Sequence, residues 1–286
     1  MPQNPVLKES TFQEEISAAR QHWGAPTPGS FAGTRGEQSD VPTTTASPSS
    51  FPTMTLGGTA VATGILLALV TGAGAFGWTQ VVEPTVTIGR NGQPIYGAIT
   101  IPTWLIGAFI VGVIFSLISA FKPKLARFTA PLYAVSFGTV VGALSHMYDI
   151  QYKGIALQAF GATISVATVM WVLYATKILK VTARMRAVVM GATLGIMVLY
   201  VAAMLLSFAG VNIRFWNEPS PLGIGLSFFI VGVAAFNLAL DFDFTDRAIA
   251  AGSPKYMEWY AAYGITVTLV WLYLEILRLL SLLNRR

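Results

Sequence analysis

The stretch that decides the fold reads AAFNLALDFDFTDR over residues 234–247, AIAAGSPKY over 248–256 and MEWYAAYGITVTLVWLYLEILRLLSLL over 257–283. Two apolar runs, each long enough for a membrane-spanning helix, meet here at a short connection. Asp241, Asp243, Asp246 and Glu258 lie at or beside this connection, and Glu275 lies well inside the second run. A charged side chain at the centre of a membrane helix costs about 2.5–3.5 kcal/mol on insertion scales. These five acids are therefore the candidate functional residues.

The composition of the whole chain is that of an integral membrane protein. Of its 286 residues, 54% are hydrophobic and only 11% are charged, whereas soluble domains carry about 25% charged residues. The chain has no cysteine, which excludes disulfides and thiolate metal sites. We expect its net charge of +5 to lie in basic loops at the cytoplasmic face, and we expect no nucleic-acid partner.

Seven apolar segments each approach the ~20 residues that a helix needs to cross the hydrocarbon. They are Leu56–Trp78, Ile101–Phe121, Phe128–Met147, Gly154–Thr176, Ala187–Phe208, Leu222–Phe242 and Met257–Leu283. We predict an all-α integral membrane protein, with a seven-transmembrane-helix bundle over residues 53–286. Residues 1–52 are predicted to be a disordered polar N-terminal tail, because they are rich in Pro, Gly, Ser and Thr and cannot bury enough apolar surface to fold alone.

The basic residues predict how the bundle is oriented. The connection after the second segment holds Lys122, Lys124 and Arg127, and the one after the fourth holds Lys177, Lys180, Arg184 and Arg186. The connections after the first, third and fifth segments are poor in basic residues. The positive-inside rule then predicts that the tail and the acidic junction are cytoplasmic. Seven spans place the C-terminus outside, although Arg285 and Arg286 favour the cytoplasm.

Two patterns of small residues predict close contacts between helices. Gly138 and Gly142 in the third segment, and Gly191 and Gly195 in the fifth, have the G-x-x-x-G spacing that lets two helix backbones approach each other.

Helical geometry separates the acids of the sixth segment. Asp243 and Asp246 are three residues apart and share a face, whereas Asp241 points about 200° away from Asp243. Arg247 follows Asp243 by four residues and can pair with it. The cluster is therefore either a solvated helix end with local ion pairs or a carboxylate site that binds a cation or a proton.

The two glutamates of the last segment lie at different depths. Glu258 opens the helix and can reach the level of Asp243. Glu275 follows 17 residues later, which is about 25 Å along a helix. We therefore expect Glu275 near the opposite face, where it either pairs locally with Arg278 or contributes to an outer gate.

No catalytic pattern stands out in the sequence. There is no H-E-x-x-H motif and no phosphate-binding glycine loop. Ser145 and His146 are adjacent, so they point to different sides of a helix and do not form a nucleophile–base pair. An intramembrane aspartyl protease built on Asp243 would require a Gly-x-Gly-Asp arrangement and a second intramembrane aspartate, which the sequence does not offer. We expect no enzyme activity and no cofactor.

Five short motifs carry a family resemblance. They are PLYA at residues 131–134, GIALQA at 154–159, GIGLS at 223–227, LDFDFTD at 240–246 and WLYLEILRLL at 271–280, and the last two are the most specific. Together they resemble the Bax inhibitor family, the transmembrane Bax-inhibitor-motif proteins, in its bacterial branch. The resemblance covers about residues 52–283.

The resemblance implies seven helices with the last one central and the other six around it. It also implies a pH-sensitive calcium leak governed by two aspartates, one on the sixth helix and one on the seventh. The sixth-helix acid corresponds to Asp243 or, less closely, to Asp241. The seventh-helix acid belongs to a Tyr-x-Asp-aromatic pattern, for which this chain offers Glu258 in YMEW or Glu275 in YLEI.

These implications favour a pH-sensitive cation (calcium) leak channel of the bacterial plasma (inner) membrane, gated by a carboxylate pair. Two carboxylates that share a site cannot both ionise cheaply, so they titrate as a unit. Once released, Asp243 and Glu258 offer oxygen ligands suited to Ca²⁺, which with protons and the lipid bilayer would be the partners. The alternative is a non-transporting membrane regulator that acts on stress responses or proteases through protein partners, with the acids in structural roles.

Overall fold

The structure, a computed structural model, describes residues 52–83, 86–88, 94–96, 100, 102–209 and 219–285. Apart from Pro52, the predicted disordered tail lies outside the described residues.

Seven long helices make up most of the described chain. They are α1 (Leu56–Thr79), α2 (Trp104–Phe121), α3 (Ala126–Gln151), α4 (Ile155–Ala175), α5 (Ala183–Phe208), α6 (Pro221–Ala250) and α7 (Met257–Asn284). Each is long and apolar enough to cross a membrane, which confirms the predicted fold class. Helix α5 begins at Ala183 rather than Ala187, and α6 continues to Ala250 rather than ending at Phe242. All three aspartates of the acidic stretch are therefore inside α6.

Short polar signals in the sequence set the helix ends. The side chains of Thr55, Thr182 and Ser220 accept hydrogen bonds from backbone N–H groups three residues on, at 3.0, 3.2 and 3.1 Å, and so cap α1, α5 and α6. Helix α6 ends at Ala250 and is followed by Gly252, whose φ of +65° is disfavoured for a residue with a side chain. Bonds from Gly252 N to Ile249 O and from Ser253 N to Ala248 O complete a Schellman motif there.

Two short elements lie in connections between helices. A 3-10 turn at Pro123–Leu125 joins α2 to α3. Between α1 and α2, strand β1 (Val86–Ile88) pairs antiparallel with β2 (Pro94–Tyr96), with Thr87 opposite Ile95. The sequence did not predict this hairpin, which is too small to change the all-α class.

Helix α7 is the central helix of the bundle, as the resemblance implied. Its backbone packs against α1, α2, α3, α4 and α6, and the Tyr200 side chain of α5 reaches it as well. Helix α7 joins two apolar clusters: Leu272 and Leu277 pack with α4 and α6, while Ala262 and Tyr263 pack with α1 and α3. Residues at either end of α7 therefore contact different sets of helices.

Glycines bring α1 and α3 into backbone contact. A methyl group at Gly77 would overlap the carbonyl of Thr139, and one at Gly142 would overlap the backbone of Gly74. This confirms the close contact predicted from the spacing of Gly138 and Gly142. The same prediction was wrong for α5: a methyl group at either glycine of its pattern would meet nothing within 4 Å, because no described helix backbone lies close to that face.

Candidate functional site: the acids of helices α6 and α7

The start of α1, the end of α6 and the start of α7 lie together at one end of the bundle, which we call the acidic end. There the Asp243 carboxylate lies between two arginines. Arg186 of α5 donates from Nη2 at 2.8 Å and Arg247 donates from Nε at 2.9 Å, both to Oδ2. The predicted Asp243–Arg247 pair is therefore present, and Arg186 adds a partner from another helix. One carboxylate between two guanidinium groups is charge-paired without a second acid.

Asp246 is exposed and makes a simpler contact. The hydroxyl of Tyr174 donates to its Oδ2 at 2.8 Å, which links α4 to α6. Asp243 thus contacts α5 and Asp246 contacts α4.

Asp241 is the acid of α6 that faces the central helix. The Thr268 hydroxyl of α7 donates to its Oδ2 at 2.6 Å. The glycine at position 264 leaves room for the carboxylate, since a methyl group there would lie 3.6 Å from Oδ1. Asp241 is partly buried, and within the described part of the chain no cation lies within ion-pair distance of it. Its charge therefore has no fixed counter-charge among the residues that the structure describes.

Glu258 is buried and bound to the start of α1. Its Oε1 accepts hydrogen bonds from the backbone N–H of Thr55 at 3.0 Å and from the Thr55 hydroxyl at 2.9 Å. The carboxylate lies so close to Gly58 that a methyl group at that position would overlap it. A carboxylate at the N-terminus of a helix satisfies unpaired N–H groups and interacts favourably with the helix dipole. Glu258 is thus occupied by α1 and makes no hydrogen bond to Asp243.

Backbone bonds strengthen this junction between the two helix starts. Met54 N donates to Ser253 O at 2.7 Å, and Lys255 N donates to Pro52 O at 3.0 Å. The Met54 side chain is 2% exposed and packs with Ala248 and Ala261. The residues just before α1 are therefore an integral part of the acidic end.

Glu275 belongs to a buried cluster in the other half of α7. The hydroxyl of Tyr200 donates to its Oε1, and Arg278 Nη1 lies 3.7 Å from its Oε2. The predicted Glu275–Arg278 pair is therefore formed, and Tyr200 adds a link to α5. The side chain of Glu275 is only 5% exposed, so its charge depends on these neighbours.

The five candidate acids have separate partners. Among the described residues, no two of them share a hydrogen bond, and no three His, Cys, Asp or Glu side chains converge on a metal site. In this conformation Asp243 makes no hydrogen bond to Glu258 or to Glu275, the two candidates for the second member of the carboxylate pair. The structure instead makes Asp241 the sixth-helix acid that contacts α7.

Sequence reasoning missed Arg186, Thr55, Tyr200 and Thr268 as partners of these acids. Arg186 and Tyr200 did carry a signal, because each is a polar residue at or within an otherwise apolar helix. Thr55 and Thr268 carried none, since threonine is common in membrane helices and can satisfy its own hydroxyl on a backbone carbonyl.

Six apolar helices around a central seventh helix that carries buried acids define a multi-pass membrane protein with ionisable groups inside its bundle. The family model described as Bax inhibitor 1 like matches residues 4–285, nearly the whole chain. The chain belongs to this family, which confirms the resemblance. The match extends beyond the predicted range of 52–283 and includes most of the polar tail. No curated protein and no solved structure matches the chain.

Proposed function

We propose that this protein provides a pH-sensitive leak path for cations, calcium among them, and that the charge of Asp241 controls the path. Family membership supports the general activity. The observation that carries the assignment to Asp241 is its contact with the central helix through a single hydroxyl, without a counter-charge among the described residues.

The chemistry of the Asp241–Thr268 contact suits a residue that changes its charge. A threonine hydroxyl can donate to a carboxylate and can accept from a protonated carboxyl group, so the contact survives in both states. An ionised carboxylate away from water and without a counter-charge costs several kcal/mol. Uptake of a proton or arrival of a cation relieves this cost, and both therefore act on the same contact between α6 and α7.

The other acids are less suited to such a role. Asp243 is neutralised by Arg186 and Arg247, Glu258 is fixed to Thr55, and Glu275 is held by a tyrosine and an arginine. Loss of charge at these positions disrupts a structural contact. We propose that they hold α5, α1 and α7 in place around the path.

The site favours passage of a cation over tight binding. Calcium takes six to eight oxygen ligands at about 2.3–2.6 Å, and Asp241 with Thr268 offers three oxygens. Asp243 and Glu258, which the sequence suggested as calcium ligands, contact different neighbours in this conformation and would have to be released before they could share an ion. Calcium is therefore proposed as the transported ion, without a resident metal and without a catalytic step.

The test is calcium flux into liposomes that contain the purified full-length protein, measured over a series of pH values. We expect Asp241→Asn to alter the size of the flux and to flatten its pH dependence, because asparagine keeps the shape but cannot ionise. Asp246→Asn is the matched control, since it removes an exposed aspartate from the same helix. An Asp241→Asn variant with the wild-type pH profile would refute the role of Asp241.

Double-mutant cycles identify the residue that is coupled to Asp241. Asp241→Asn and Thr268→Val should be non-additive because the two residues are in contact, whereas Asp243→Asn and Glu258→Gln should be additive because their partners are separate. Strong coupling in the second cycle would show that the carboxylate pair forms in a state other than this one. Absence of flux in the wild-type protein at every pH would instead favour the regulator that acts through protein partners.

A further inference from the structure

A cavity of about 680 Å³ lies among α1, α3, α4 and α7. On α1 it extends from Leu67 to Trp78, so it occupies the half of the bundle that is remote from the acidic end. Its volume is within the range of about 300–1,000 Å³ that small-molecule sites occupy. Folded proteins leave few voids larger than a water molecule, so a space of this size calls for an occupant.

The walls explain why the cavity exists. Gly74 and Ala75 of α1, Gly142 of α3 and Ala167 of α4 line it and have no side chain long enough to fill it. Helices α1 and α3 cannot move apart to change its shape without losing the glycine contacts that hold their backbones together. The cavity is therefore built into the packing of four helices.

The lining has the chemistry of a site for hydrocarbon. None of the described residues that line it is charged. Thr71 and Thr163 donate to the carbonyls of their own helices at 2.8 and 2.7 Å. Ser145 donates to Val141 O at 2.7 Å, and the hydroxyls of Ser145 and Tyr273 lie 2.7 Å apart. These hydroxyl protons are already used within the protein, so these groups are not free to donate to a polar ligand.

The cavity opens sideways between α1 and α4. Phe160 and Ile164 line it and are also 47% and 51% exposed at the bundle surface. Thr71 and Ala75 on α1 are exposed too. In a bundle that crosses a membrane, the medium at such an opening is lipid hydrocarbon.

We propose that this cavity binds one acyl chain of a membrane phospholipid, which enters between α1 and α4 and reaches Trp78. The lipid fills space between the α1–α3 pair and α4–α7 and so stabilises the packing of the central helix. The proposal is independent of the cation path, because none of the five candidate acids lines the cavity.

The first test counts bound lipid. Full-length protein stripped with detergent and supplied with a phosphatidylglycerol that carries oleoyl chains is examined by native mass spectrometry, and one tightly held lipid per chain is expected. Ala75→Phe fills the cavity from α1 and should lower the affinity for this lipid about tenfold or more, which corresponds to about 1.4 kcal/mol. Ala60→Phe is the matched control, an exposed alanine of the same helix outside the cavity, and should keep the lipid. Equal retention by the two variants would overturn the proposal.

The second test leaves the cavity intact and so does not depend on whether the filled variant folds. Phosphatidylglycerol with bromine on an acyl chain is titrated into the wild-type protein, and the tryptophan fluorescence is recorded. We expect a saturable quenching phase that is lost in Trp78→Phe, because bromine quenches at contact. A saturable phase that persists in Trp78→Phe, or quenching that never saturates, would place the lipid elsewhere and refute the site.

Discussion

The contact between Glu258 and Thr55 yields the sharpest prediction about stability. Glu258 is 4% exposed and accepts two hydrogen bonds from Thr55 at 3.0 and 2.9 Å. Glu258→Ala removes the acceptor, and both donors of Thr55 then lose their protein partner.

The expected loss in the free energy of unfolding follows from the two hydrogen bonds. A hydrogen bond to a charged group contributes about 1.5–3 kcal/mol. Thr55 is exposed, so water replaces part of each bond and the lower value applies. Glu258→Ala should therefore cost about 3 kcal/mol of the free energy of unfolding. Glu258→Gln keeps an acceptor of the same shape and loses only the charge, so about 1–2 kcal/mol is expected.

Reversible unfolding of the purified protein in mixed micelles, followed by helical circular dichroism, measures these costs. Asp246→Ala is the matched control, because it removes an exposed acid with one hydrogen bond and should cost less than about 1 kcal/mol. A double-mutant cycle of Thr55→Ala with Glu258→Ala should show coupling of about 1 kcal/mol or more.

The reasoning would be refuted by a Glu258→Ala variant whose stability is within about 0.5 kcal/mol of the Asp246→Ala control. Additive effects of the Thr55 and Glu258 substitutions would likewise show that the two residues do not stabilise each other, and that the junction rests on its backbone bonds alone.

Three further predictions follow from the fold. Deletion of residues 1–50 should leave folding unchanged, whereas deletion of residues 1–56 should abolish membrane expression, because only the second removes Met54 and Thr55 from the junction; equal expression would contradict this. Gly77→Ala should destabilise the protein by about 1–3 kcal/mol, because the added methyl group overlaps α3. Gly72→Ala is the control, since a methyl group there meets nothing within 4 Å, and thermal unfolding compares the stability of the two variants. A topology reporter inserted within Gly252–Lys255 should report the cytoplasm, and a signal from the other side would refute the orientation given by the basic connections.

Local interactions explain what the sequence alone determined. Seven apolar stretches of the right length predict seven spans, because each helix satisfies its own backbone in a membrane. The Asp243–Arg247 and Glu275–Arg278 pairs were predicted because residues three or four apart are neighbours on any helix.

The tertiary structure decided which acid faces which helix. Helix α6 offers three aspartates and is apolar on nearly every side, since both lipid and protein surround it, so periodicity does not indicate which side meets α7. Packing turned Asp241 towards Thr268 and Asp243 towards Arg186. Glycine spacing was similarly insufficient. It allows close approach in both α3 and α5, but among the described residues a neighbouring backbone meets the glycines of α3 and not those of α5.

Distance along the chain is the reason that the remaining partners could not be predicted. Glu258 binds Thr55 across 203 residues, and Glu275 binds Tyr200 across 75. Such contacts depend on the order in which six helices surround the central one, and each helix by itself would be stable in many arrangements. The sequence determined that acids lie inside a membrane bundle, and the packing of the bundle placed Asp241 against the central helix with a single hydroxyl donor and, among the described residues, no cation to pair with it.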